Sequence, residues 1–128
     1  MSSSNPKGAY VLIIELREPR EIVVGKLGEV LFPGGYYTYT GSAMGGGGIS
    51  RRVERHLRRE KRLRWHIDYF LEFAEIKSVL VFESEIKIEC MINQRAASLF
   101  NAEIVAPGFG AGDCGEGCGS HLLRIPDS

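Results

Sequence analysis

Residues 8–16 (GAYVLIIEL) are apolar and rich in β-branched side chains, with no polar alternation until Glu15. Such a run reads as a strand buried inside a sheet. It needs a partner, and the densest β-former run in the chain, YYTYT at 36–40, is expected to pair with it. Two shorter strands are expected between them, at 21–26 and 29–32, with Gly28 at their turn and Pro19 and Pro33-Gly34-Gly35 turning the chain on either side.

The second half reads differently. Residues 41–48 (GSAMGGGG) are expected to form a loop whose backbone amides lie open to a ligand. A helix follows from about Ile49, with Ile49, Val53 and Leu57 as its apolar stripe and Arg52, His56 and Arg59 on a neighbouring one. A second helix is expected over 63–74, burying Trp65, Tyr69, Phe70 and Phe73, then a buried strand at 78–83. A third helix is expected over 85–100, with Ile88, Ile92, Ala96 and Leu99 inward. Residues 106–119 hold six glycines and read as loop, and 121–125 (HLLRI) as a last edge strand. Strands and helices mix without a β-α-β repeat, so the expected fold is α+β: a small, mainly antiparallel sheet flanked by helices. At 128 residues this is one domain, with a core over about 8–100 and a glycine-rich extension over 101–128. The apolar run from Tyr10 to Ile14 is far short of the ~20 residues of a membrane helix. The start is polar and lacks the apolar stretch of a signal peptide, and three cysteines do not make a secreted disulfide framework. The expected compartment is reducing and cytoplasmic.

Net charge is zero, but unevenly spread. Arg51, Arg52, Arg55, Arg58, Arg59, Lys61, Arg62 and Arg64 are eight of the 16 Lys and Arg residues, opposed locally only by Glu54 and Glu60. This +6 segment suits a polyanion partner, with Arg51, Arg55, Arg58, Arg59 and Arg62 as backbone contacts; the plainer reading is a solvated basic helix. DNA is expected over RNA, and no membrane.

Gly8-Ala9-Tyr10 opens one strand and Tyr39-Thr40-Gly41 closes another. Arg52-Val53-Glu54-Arg55-His56 lies on the basic helix, and Glu89 follows. This order of G-x-Y, Y-x-G, R-x-x-x-H and a late glutamate resembles the GIY-YIG nuclease superfamily over residues 8–100. It looks closest to a stand-alone branch that also carries H-I-D-Y (66–69), Glu89-Cys90 and a glycine-rich D-C…C…H-L tail (113–122). Twenty-eight residues separate the two tyrosines, so the resemblance implies an inserted hairpin at about 21–32. It also implies a metal-dependent endonuclease that hydrolyses phosphodiesters in DNA.

The chemistry can be stated from the residues. Phosphodiester hydrolysis needs a deprotonated water, a charge clamp on the phosphorane and help for the leaving oxygen. A tyrosine beside cations can serve as proton acceptor, an arginine grips two phosphate oxygens, and a lone carboxylate can hold Mg²⁺ or Mn²⁺. Tyr10 or Tyr39, Arg52 and Glu89 are offered for these roles, with His56 as proton relay or phosphate donor. The bland alternatives are strand tyrosines packed half-in, a surface histidine, and a glutamate placed against a helix dipole. His66 and Asp68 lie two apart, which favours a packed, hydrogen-bonded role over catalysis. In the tail, Asp113, Cys114, Cys118 and His121, with Cys90, would suit a loop closing over the site or a Cys/His zinc site, the latter the weaker reading. A non-catalytic nucleic-acid-binding module of the same fold and a zinc protein built on the tail are the alternatives for the whole.

Overall fold

The computed structural model describes residues 6–58, 61–110 and 118–126. It has an α+β architecture. A five-stranded antiparallel sheet contains β1 (Gly8–Leu16), β4 (Gly35–Ala43), β5 (Glu75–Glu83), β6 (Glu103–Ile104) and β7 (Leu122–Ile125) in the order β5-β1-β4-β7-β6. The expected hairpin is present as a separate two-stranded sheet, β2 (Arg20–Val23) with β3 (Glu29–Phe32), joined through a 3-10 turn at Gly25–Leu27. The described residues also form three helices: α1 (Gly48–Leu57), α2 (His66–Leu71) and α3 (Glu89–Phe100).

β1 is paired on both edges, by β5 and β4, and both of its faces are covered. Tyr10, Leu12, Ile14 and Leu16 point into the main core, where Phe32 of the hairpin, Ile49 of α1, and Ile67 and Phe70 of α2 pack with Tyr37 and Tyr39 of β4. Ala9 and Val11 point the other way, onto Ile92 of α3. The period-2 alternation of a strand thus serves two layers at once.

Several boundaries differ from the sequence reading, each for a local reason. β4 runs on through Gly41 to Ala43, because these residues pair with Tyr10 to Gly8. α2 is shorter than expected and Phe73 is half-exposed beyond its end. α3 begins at Glu89, after a turn in which Ser84 accepts from the Ile86 amide at 3.1 Å and donates to its carbonyl at 2.8 Å. Leu57 and Leu99 face solvent. The inward stripe of α1 runs instead through Ile49 and His56, seven residues apart, with Arg52 and Val53 half-buried between. β5 is a sheet edge rather than a buried strand: α3 lies over β1 and β4, so Leu80, Val81 and Phe82 stay largely exposed. β7, in turn, is inside the sheet, with the two-residue β6 outside it. Among the described residues no helix is long and apolar enough to cross a membrane.

Candidate active site

Register places the two motif tyrosines together. Tyr10 pairs with Gly41 and Leu12 with Tyr39, so Tyr10 and Tyr39 are diagonal neighbours on one sheet face. The Tyr10 ring lies against Gly41, where a Cβ would overlap its ring and hydroxyl. Glycine closes Y-x-G because the ring of G-x-Y occupies the space a side chain would need. Gly8 is held in the same way by β5: a Cβ there would overlap the Phe82 carbonyl.

His56 of α1 comes down onto this pair. Its Nε2 stands 2.6 Å from the Tyr10 hydroxyl, and its ring centroid lies 5.4 Å from that of Tyr10 and 6.0 Å from that of Tyr39. All three are buried. Burial drives the His56 imidazole down to about 4, with Lys61, Arg55 and Arg52 pushing the same way against the opposing pull of Asp68. His56 is therefore neutral at pH 7. Its Nδ1 is buried with no hydrogen-bond partner among the described residues.

Burial also raises both phenols well above their ordinary value. For Tyr10, the nearby Arg52 offsets part of this, Glu89 adds to it and Arg55 opposes it. Tyr39 feels the Tyr10 oxygen, Glu89 and Asp68, with Arg52 opposing. The charges of Arg52 and Glu89 thus bear on the same two hydroxyls, which brings all five expected site residues into one neighbourhood. Glu89 sits in the first turn of α3, nearly buried. Its Oε1 is 3.6 Å from Lys87 Nζ and its Oε2 is 3.6 Å from His121 Nδ1.

Arg52 also forms a wall of a cleft of about 520 Å³ lined by Gly45 to Gly48, Arg51, Arg55, Arg58, Arg64 and Trp65. Trp65 organises it: the guanidinium carbons of Arg52 and Arg55 lie 4.7 and 4.2 Å from its ring centroid. The basic segment divides into two kinds of residue. Arg55 is committed internally, donating to both Asp68 oxygens at 2.8 and 2.9 Å and to the Arg62 carbonyl at 3.0 Å. Lys61 likewise donates to the carbonyls of Arg55, His56 and Arg58, closing the end of α1. Arg51 and Arg58 are exposed in the cleft. Arg62 does not line it, and Arg59 lies outside the described residues.

Asp68 and His66 of the H-I-D-Y segment are hydrogen-bonded within the fold. Asp68 is fully buried and accepts from the Arg64 and Trp65 amides at 2.8 Å each, fixing the start of α2. Burial alone would raise its carboxyl, but these bonds and Arg55 hold it below the ordinary value. His66 Nδ1 accepts from the Gly110 amide at 2.9 Å.

In the tail, His121 is buried and anchored by its backbone: its amide donates to the Phe109 carbonyl at 2.8 Å, and its carbonyl accepts from Thr40 at 3.0 Å. Its Nε2 is 3.8 Å from Cys90 Sγ. The ligand atoms of Cys90, Cys118 and His121 all lie within 4.8 Å of one another. Asp113 and Cys114 fall outside the described residues, so the expected approach of Cys114 to Cys90 does too. Two participants escaped the sequence reading. Trp65 reads there as an ordinary core aromatic, and Phe109, whose ring packs 6.3 Å from Tyr39 and 5.5 Å from His66, lies in a glycine-rich stretch with no periodicity to mark it.

A family model described as "Domain of unknown function DUF123" matches residues 9–128. No curated protein and no solved structure matches the chain.

Proposed function

We propose that this chain, which belongs to the family described as domain of unknown function DUF123, is a metal-dependent endonuclease that hydrolyses phosphodiester bonds in DNA. One observation supports this reading above the others: the 2.6 Å contact of Tyr10 with His56 lies next to Arg52, and Arg52 is also a wall of the arginine-lined cleft. A proton acceptor and an anion-binding surface thus adjoin at one residue.

The geometry supports the following division of work. Arg51, Arg58 and Arg64 hold the nucleic-acid backbone in the cleft without reading sequence. Arg52 grips the scissile phosphate, its plane already oriented by Trp65. Tyr10 takes the proton of the attacking water and passes its own to His56 Nε2, which burial keeps neutral and able to accept. Tyr39 packs edge-on against the same imidazole and helps to hold it in place.

Glu89 fits a hard divalent cation in its donor chemistry. It is a carboxylate, nearly buried, whose charge bears on both phenols and whose two flanking contacts are at 3.6 Å, longer than a closed hydrogen bond. A Mg²⁺ or Mn²⁺ ion held there would stabilise charge on the leaving oxygen.

The test is nicking of supercoiled plasmid with Mg²⁺ or Mn²⁺, comparing the wild type with Glu89→Ala. Metal-dependent relaxation by the wild type, lost in the variant while DNA binding persists, supports the reading. Salt-sensitive binding with no cleavage by the wild type replaces it with a non-catalytic binding module.

A further inference from the structure

We infer that Cys90, Cys118 and His121 form a binding site for a soft divalent metal ion of the zinc class, distinct from the carboxylate site proposed at Glu89. The inference does not depend on phosphodiester cleavage. It starts from three ligand-type atoms on two parts of the chain: Cys90 at the start of α3, and Cys118 and His121, three residues apart, in the segment ahead of β7. All lie within 4.8 Å of one another. Tetrahedral zinc with two thiolates and an imidazole places sulfur and nitrogen about 3.5 Å apart and the two sulfurs about 3.8 Å apart. The Cys90 Sγ to His121 Nε2 separation of 3.8 Å is already close to that figure. Drawing in the Cys118 thiol requires a movement of only about 1 Å. That thiol is half-exposed and lies 3.8 Å from the Cys90 carbonyl, in contact with α3 from the outset. These residues supply three of the four ligands zinc takes.

The histidine carries the second observation. Its Nε2 faces Cys90, while its Nδ1 is buried without a hydrogen-bond partner among the described residues and points at Glu89 Oε2, 3.6 Å away. An unsatisfied buried nitrogen is costly, whereas a metal on Nε2 would resolve it. Metallation of Nε2 places the proton on Nδ1, where it donates to the carboxylate after a small closure. This is the carboxylate–histidine–metal arrangement by which a second layer of residues orients a ligand. The backbone is prepared for it. His121 is held by Phe109 and Thr40, and Asn93 of α3 donates to the Ser120 carbonyl at 2.8 Å.

The ion would tie the start of α3 to the segment ahead of β7. Binding displaces the two thiol protons into solvent. Its charge would also fix Glu89 through His121, leaving Oε1 beside Lys87 Nζ.

The test uses the full chain purified under reducing conditions, without DNA. One equivalent of zinc per chain by elemental analysis is expected, and Co²⁺ titrated into the stripped protein should give the intense visible bands of a tetrahedral site with thiolate charge transfer. Cys118→Ser, at the most exposed ligand, should lower affinity at least 100-fold, and a chelator should lower the melting temperature of the wild type but not of the variant. Glu89→Gln should retain the ion with affinity about tenfold weaker. A wild type that is folded by circular dichroism yet takes up neither zinc nor cobalt overturns the inference. So does a Cys118→Ser protein that binds cobalt with unchanged affinity and spectrum.

Discussion

At the scale of single residues, the site depends on two close approaches that sequence shows as mere tripeptides. Gly41 stands 31 positions from Tyr10 in the chain, yet the register of β1 and β4 lays the ring over it. Replacing Gly41 with alanine should push the ring aside, lengthen the contact to His56 and cost about 1–3 kcal/mol by overpacking. Urea denaturation measures the cost; an unchanged midpoint would show that the strands separate without penalty. The same variant should lose nicking while keeping DNA affinity, because the cleft is lined by other residues. Tyr10, Tyr39, His56, Arg52 and Glu89 were legible as candidates because motif order carries over to strand and helix ends. The neutrality of His56 was not legible, since it arises from burial against Trp65 and the two tyrosine rings.

Secondary-structure elements were legible wherever apolar period and flanking turns agreed. The hairpin, β1 and the start of α1 fall close to where sequence places them. The exposure of β5 was hidden, because an apolar run carries no mark of whether a helix will cover it. Within α1 the basic residues look alike in sequence but do different work. Arg55 neutralises the fully buried Asp68, so Arg55→Ala strands a buried carboxylate and should cost about 3 kcal/mol or more. Arg58→Ala should leave stability nearly unchanged. It should instead weaken DNA binding for all sequences alike and reduce the slope of log affinity against log salt by about one. Fluorescence anisotropy across a salt series separates the two. A variant of Arg58 that binds as tightly as the wild type at low salt, with the same slope, removes the cleft from the nucleic-acid interface.

For the whole molecule, the buried histidine makes stability depend on pH. His56 binds a proton near pH 6.5 when unfolded but only near pH 4 when folded, so the unfolded chain gains protons first as the pH falls. Stability should therefore be level at neutral pH and decline by about 3 kcal/mol between pH 6.5 and pH 4 from this residue alone. Asp68 acts in the same direction at lower pH, because its carboxyl is held below the ordinary value and its contribution is lost as it protonates. His56→Gln should flatten the decline above pH 4.5 in denaturation curves; a decline of equal size in that variant would assign it elsewhere. The central claim is that Tyr10 moves a proton during phosphodiester cleavage, and the most direct measurement is the single-turnover rate of plasmid nicking by Tyr10→Phe with Mn²⁺ and protein in excess. The phenylalanine keeps the packing over Gly41 and removes only the hydroxyl, so the rate should fall by about 100-fold or more with DNA affinity unchanged. Nicking by Tyr10→Phe at the wild-type rate would contradict the account.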